Sequence, residues 1–154
     1  MTLRIAGLMK ESVCDGPGIR FVVFVQGCFH NCSGCHNPQT HNPEGGAEIS
    51  IDELLKMIDS NPLLDGVTFS GGEPFLQAAA LAKLAEHCNR RGLSVMTYSG
   101  YHYEDIVETS ENTAWRELLR RTDILVDGPF IPEKATHEIP FCGSSNQRVH
   151  NFRE

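Results

Sequence analysis

The chain has 154 residues, of which 40% are hydrophobic, enough apolar material for one globular core and too much for a disordered segment. A formal net charge of −7 argues against a surface built for phosphate backbones, because the only basic doublets are Arg90-Arg91 and Arg120-Arg121, each closing a predicted helix. No run of roughly 18 apolar residues occurs and residues 1–12 lack the pattern of a secretory leader, so the expectation is one cytoplasmic domain that binds neither membrane nor nucleic acid.

The first predicted strand covers residues 19–25 (IRFVVFV), a continuous β-branched and aromatic run of the kind buried on both faces. Ser50 and Glu53 form a capping-box start, after which Ile51, Leu54, Leu55 and Ile58 repeat at helical spacing over residues 51–59. A second strand at 66–70 stops at Gly71-Gly72, and a helix follows over 77–91, ending at Gly92. Residues 93–98 predict a third strand, 103–109 and 114–121 two helices, and 123–126 a fourth strand halted by Asp127-Gly128-Pro129. A final strand is expected at 147–152. Strands alternating with helices imply parallel strands with right-handed crossovers. Four such strands are too few for a closed eight-stranded barrel, so the fold class expected is α/β, an open partial (β/α) barrel. Residues 36–49 and 129–146 are the longest stretches without periodicity.

Three of the six cysteines, Cys28, Cys32 and Cys35, fall within eight residues, which in a reducing compartment signals a metal centre rather than disulfides. Spacing alone does not choose the metal: His30, His36 or His41 could complete a structural zinc site. The position of the cysteines is more informative, because Cys28 lies just beyond the first strand, at the carboxyl edge of a parallel sheet where α/β folds place their sites. Gly71-Gly72-Glu73-Pro74 follows the second strand, Ser99-Gly100 the third and Asp127-Gly128 the fourth, so all four ends converge on one rim. Paired glycines let backbone groups approach a ligand closely, although a plain turn reads the same way.

The cysteine spacing with a downstream strand and Gly71-Gly72-Glu73 resembles the radical S-adenosylmethionine superfamily. The resemblance implies that Cys28, Cys32 and Cys35 hold a 4Fe-4S cluster with one iron left open for S-adenosylmethionine. It also places Gly71, Gly72 and Glu73 around the methionine ammonium, with Gly34, Cys35, His36, Ser99 and Asp127 as further cofactor contacts. Asp15-Gly16-Pro17-Gly18-Ile19-Arg20 is similar to activases of glycyl-radical enzymes. Within that group, the short chain, Leu125-Val126-Asp127-Gly128-Pro129-Phe130 and Gly143-Ser144-Ser145-Asn146-Gln147 resemble activases of anaerobic ribonucleotide reductases. The implied partners are the large glycyl-radical subunit of such a reductase and a low-potential electron donor such as flavodoxin. Activation of pyruvate formate-lyase or another glycyl-radical enzyme is the rival, and a zinc-stabilised binding module the non-enzymatic one. One departure stands out: Gly34 occupies the position before the third cysteine where many members carry an aromatic side chain near the adenine.

Outside these motifs, Cys88 reads as a small buried hydrophobe in the 77–91 helix, and Cys14 and Cys142 as structural. Trp115 is expected to pack, and His30 and His41 are given no functional role. Residues 143–147 are expected near the rim, ordering the ligand or docking the partner.

Overall fold

The computed structural model describes residues 1–28, 30, 42, 44–109 and 111–153. The strands are β1 (Thr2–Ser12), β2 (Arg20–Val25), β3 (Ala47–Ser50), β4 (Gly66–Gly71), β5 (Ser94–Tyr98), β6 (Ile124–Asp127) and β7 (Arg148–Asn151). The helices are α1 (Ile51–Asp59), α2 (Ala78–Arg90), α3 (Tyr103–Glu108) and α4 (Thr113–Arg121). Among the described residues the strands form one sheet in the order β3-β1-β2-β4-β5-β6-β7.

The four central strands β2, β4, β5 and β6 run parallel, as their alternation with helices requires. The sheet is not parallel throughout. β1 pairs antiparallel with both β2 and β3, and β7 pairs antiparallel with β6. A chain closing an edge by a short return needs no crossover helix, so antiparallel pairs are the economical way to finish a small sheet. β1 and β3 were not expected. β1 is irregular, with register shifts between Ile5 and Gly7 and between Met9 and Ser12, and β3 lies in a stretch without periodicity.

Local chemistry fixes the element boundaries. Ser50 Oγ accepts from the Glu53 amide at 3.1 Å and starts α1, while Asn112 Oδ1 accepts from the Trp115 amide at 3.1 Å and starts α4. The helix expected from 77 opens instead with a 3₁₀ turn at Pro74–Gln77, which Glu73 caps by accepting from the Phe75 amide at 3.0 Å.

Side chains alternate across the sheet. Val23, Val67, Phe69, Val95 and Leu125 meet Leu54, Ile58, Leu81, Leu84, Ile106 and Leu118 from the helices in the main core. Each leucine fully buried there contributes about 2 kcal/mol of apolar transfer energy. The opposite face carries a second cluster of Met96, Ile124, Val126 and Cys142, with Tyr98 and Phe141 packed against it. Cys88 is fully buried in α2 and Trp115 packs edge-on to Phe75 with ring centres 5.4 Å apart, both as expected.

Candidate functional site

The carboxyl ends of the parallel strands border a cleft of about 270 Å³. Cys28 reaches it from the end of β2, Gly71 and Gly72 from β4, Ser99 and Gly100 from β5, and Gly128 from β6. Asp15, His30, Ser70, Tyr98, Phe130, Phe141, Gly143 and Gln147 complete its wall among the described residues. The convergence expected from strand ends is therefore present for these residues. Cys32, Gly34, Cys35, His36 and His41 lie outside the described residues.

Backbone bonds join the glycine pair to the segment that carries Cys28. The Gly72 amide donates to Val25 O at 2.8 Å and the Glu73 amide to Gly27 O at 2.7 Å, extending the β2–β4 ladder to the residue before the cysteine. A Cβ at Gly72 would collide with the carbonyl oxygen of Gly27, so only glycine permits this approach.

Glu73 is 1% exposed and its carboxylate is directed into the protein. Oε1 accepts from the Gly100 amide at 2.8 Å, Ser99 Oγ lies 3.0 Å from both oxygens, and Oε2 accepts from the Phe75 amide at 3.0 Å. His30 Nε2 stands 2.6 Å from Oε1. Glu73 thus ties the ends of β4 and β5 together, and Ser99 is part of that tie. His30 had no role on sequence grounds; its position between Cys28 and Cys32 was the available signal.

Asp127 is fully buried but does not line the cleft. Its carboxylate accepts from the Tyr103 amide at 2.7 Å and from Arg148 at 2.5 and 3.2 Å, with His150 Nε2 3.2 Å away. Burial alone would raise its pKa, but the Arg148 hydrogen bonds, the Tyr103 amide and the nearby His150 and Arg148 side chains together hold it below the usual carboxylate range. Burial pushes the Tyr98 phenol up, and the Asp15 carboxylate adds to the effect.

The 143–147 segment does reach the rim. Gln147 Oε1 accepts from the amides of Gly143 at 2.7 Å and Ser144 at 3.2 Å, while its Nε2 donates to Gly128 O at 3.0 Å. Asn146 Nδ2 donates to Pro129 O at 2.8 Å. Phe141, just before this segment, holds a left-handed φ of 66°, a conformation that costs energy in a bulky residue and turns its ring towards the cleft wall.

A thiol at the end of β2 and a backbone-lined glycine rim thus face one cleft at the carboxyl ends of the parallel strands. The chain belongs to the 4Fe-4S single cluster domain family, whose model matches residues 14–150. That membership decides the choice left open by cysteine spacing, in favour of a 4Fe-4S cluster over zinc.

The anaerobic ribonucleoside-triphosphate reductase-activating protein of Haemophilus influenzae is 30% identical over 151 residues, which cover 92% of this chain and 93% of the relative. The pyruvate formate-lyase-activating enzyme of Clostridium pasteurianum is 40% identical over 129 residues, covering 80% of this chain and 50% of the relative. The pyruvate formate-lyase 1-activating enzyme of Escherichia coli K12 is 34% identical, covering 97% of this chain and 60% of the relative. The chain thus spans only about half to three fifths of these lyase activases. The crystal structure of QueE from Escherichia coli superposes with a TM-score of 0.51 at 18% identity, covering 65% of this chain and 53% of that one, which shows the shared fold. Among the described residues no helix is long and apolar enough to cross a membrane.

Proposed function

We propose that this chain activates an anaerobic ribonucleoside-triphosphate reductase by generating a glycyl radical on its large subunit. The observation that carries this reading is the match to a reductase-activating protein, which covers 92% of this chain and 93% of the relative.

Cys28, with Cys32 and Cys35, would hold the 4Fe-4S cluster. When bound, the cluster supplies the electron that splits the S-adenosylmethionine sulfonium into methionine and a 5′-deoxyadenosyl radical. Gly71 and Gly72 present backbone groups, not side chains, to the methionine end. Glu73 is fully engaged by its own donors, which supports a part in shaping that backbone rather than reaching the ligand with its carboxylate. Gln147 fixes Gly143 and Gly128 on the far wall. Gly34, His36 and the Arg148-paired Asp127 stand as further proposed contacts, Asp127 acting through Gly128 beside it. The cleft is open, so a glycine-bearing loop of a protein substrate can enter it, and selectivity comes from docking. The electron would come from a low-potential donor such as flavodoxin.

Pyruvate formate-lyase remains the second candidate substrate, favoured by the 40% identity of one relative. Incubating the reduced protein with S-adenosylmethionine and the reductase large subunit should yield a glycyl-radical doublet in electron paramagnetic resonance, with methionine and 5′-deoxyadenosine. A doublet on pyruvate formate-lyase and none on the reductase would transfer the assignment to the lyase.

A further inference from the structure

His30 lies two residues beyond Cys28, on the segment that carries the cysteines. Its ring makes three contacts with the ends of the parallel strands. Nε2 is 2.6 Å from Glu73 Oε1. The ring meets Tyr101 edge-on, with centres 4.5 Å apart and planes at 69°. It also lies so close to the backbone of Gly100 that a Cβ there would stand 2.6 Å from its Cδ2. Oε1 already accepts from the Gly100 amide and from Ser99, so the histidine nitrogen facing it is the donor.

We propose that His30 is a positioning residue: its Nε2–H bond to Glu73 fixes the cysteine-bearing segment against the ends of β4 and β5. It thereby sets where the cluster stands relative to Gly71 and Gly72. This rests on the cluster reading given above. Two anchors define the geometry. One is the backbone bond from the Glu73 amide to Gly27 O, immediately before Cys28, and the other is the side-chain bond from His30 back to the same glutamate. A segment held at Gly27 alone can pivot; held at both points it cannot. Three thiolates suffice to retain a cluster, but chelation of a ligand that also rests on Gly71-Gly72 demands that both halves of the site keep register within a fraction of an ångström. Glu73 suits this task because its four other hydrogen-bonding contacts, from Phe75, Gly100 and Ser99, immobilise it.

The test compares His30→Phe, which keeps a flat ring without the donor, with His30→Gln, whose amide nitrogen reaches the same oxygen. Each protein is reconstituted anaerobically, its iron is counted, and the reduced cluster is titrated with S-adenosylmethionine while its electron paramagnetic resonance spectrum is recorded. The Phe variant is expected to need about tenfold more S-adenosylmethionine per bound cluster to convert its spectrum, and the Gln variant to stay within about twofold of the natural protein. Iron lost from the Phe variant and kept by the Gln variant would likewise assign the anchoring to the hydrogen bond. A Phe variant that titrates like the natural protein, or a Gln variant impaired as severely as Phe, overturns the inference. A natural protein with no cluster, or with no spectral response to S-adenosylmethionine, instead ends the underlying reading.

Discussion

Arg20 has no exposed surface, yet it carries a guanidinium. The protein accommodates it with acceptors: Thr68 Oγ1 at 2.8 Å, Pro17 O at 2.9 Å, Ser94 Oγ at 2.8 Å, Val67 O at 2.8 Å and Ser94 O at 3.0 Å. Burial pulls its pKa down, and the carboxylates of Asp123 and Asp65 oppose that only in part. The planar fork fits acceptors on three sides, which a lysine ammonium cannot span, so Arg20→Lys should cost about 3 kcal/mol. Urea unfolding measures this, and a loss below about 1 kcal/mol would show that water or relaxation replaces the bonds. The sequence places Arg20 at the end of a glycine-rich motif, but four of its five acceptors come from β4 and β5, about 50 to 75 residues later, so no local pattern reveals its burial. Cysteine burial was more legible. Cys88 falls on the apolar face of a helix, and burial raises its thiol pKa to about 12, whereas Cys14 is exposed. Brief alkylation of the native protein near pH 8 should modify Cys14 and spare Cys88 until the protein is unfolded. Early labelling of Cys88, read by mass spectrometry, would mean that α2 opens locally.

Among the elements, β4 and the turn after it show how far strand patterns lead. The run Gly66–Gly71 was recognisable because it is apolar, short and closed by glycines, and its neighbours β2, β5 and β6 were bounded to within one residue for the same reason. The helices followed from capping and periodicity. β1 and β3 escaped because antiparallel edge strands with bulges and half-exposed faces have little hydrophobic alternation to read. Site residues followed the same division. Cys28, Gly71, Gly72 and Ser99 were identifiable from their places at strand ends, whereas the inward aim of Glu73 depends on where β5 terminates, which is tertiary information. The consequence appears in Gly72. From sequence alone, a bulky replacement would block the ligand and leave the cluster untouched. With the Gly72 Cα packed on the Gly27 carbonyl, even Gly72→Ala must shift the residue adjoining Cys28. The variant should therefore lose S-adenosylmethionine binding and also retain less iron after reconstitution, by at least about a third, because one of three thiolates is displaced. A full iron complement would show that the β2 end yields without moving its thiol.

At the scale of the whole molecule, the open side of the sheet is finished by β7, which pairs with β6 and is tied further by the side chain of Arg148. Arg148 donates to the buried Asp127 at the end of β6 and, at 2.7 and 2.8 Å, to Glu104 on α3. Tyr103, His150 and Phe152 stack alongside. Arg148 hydrogen bonds draw the Glu104 pKa down to about 2. Because Gln147 precedes β7 and clamps Gly128 and Gly143, the same strand steadies the far wall of the cleft. The pH dependence follows from Asp127, whose folded pKa lies below its unfolded value of about 3.9. A depressed carboxylate stabilises the fold above that unfolded value, and the contribution is lost as pH falls through the folded one. Removing the guanidinium in Arg148→Met leaves the buried carboxylate with burial as its dominant influence, which raises its pKa and makes the ionised form costly at neutral pH. Arg148 is itself 44% exposed, so solvent screening limits the loss to about 1–2 kcal/mol at pH 7. Near pH 3 the variant can protonate Asp127 and recover part of that loss, while the natural protein is giving up its own carboxylate term. Urea unfolding of both proteins at the two pH values should therefore show a stability gap that narrows in acid. A gap of constant width would mean that Arg148 acts through packing of its aliphatic stem against β7 and that the charge on Asp127 is of no account.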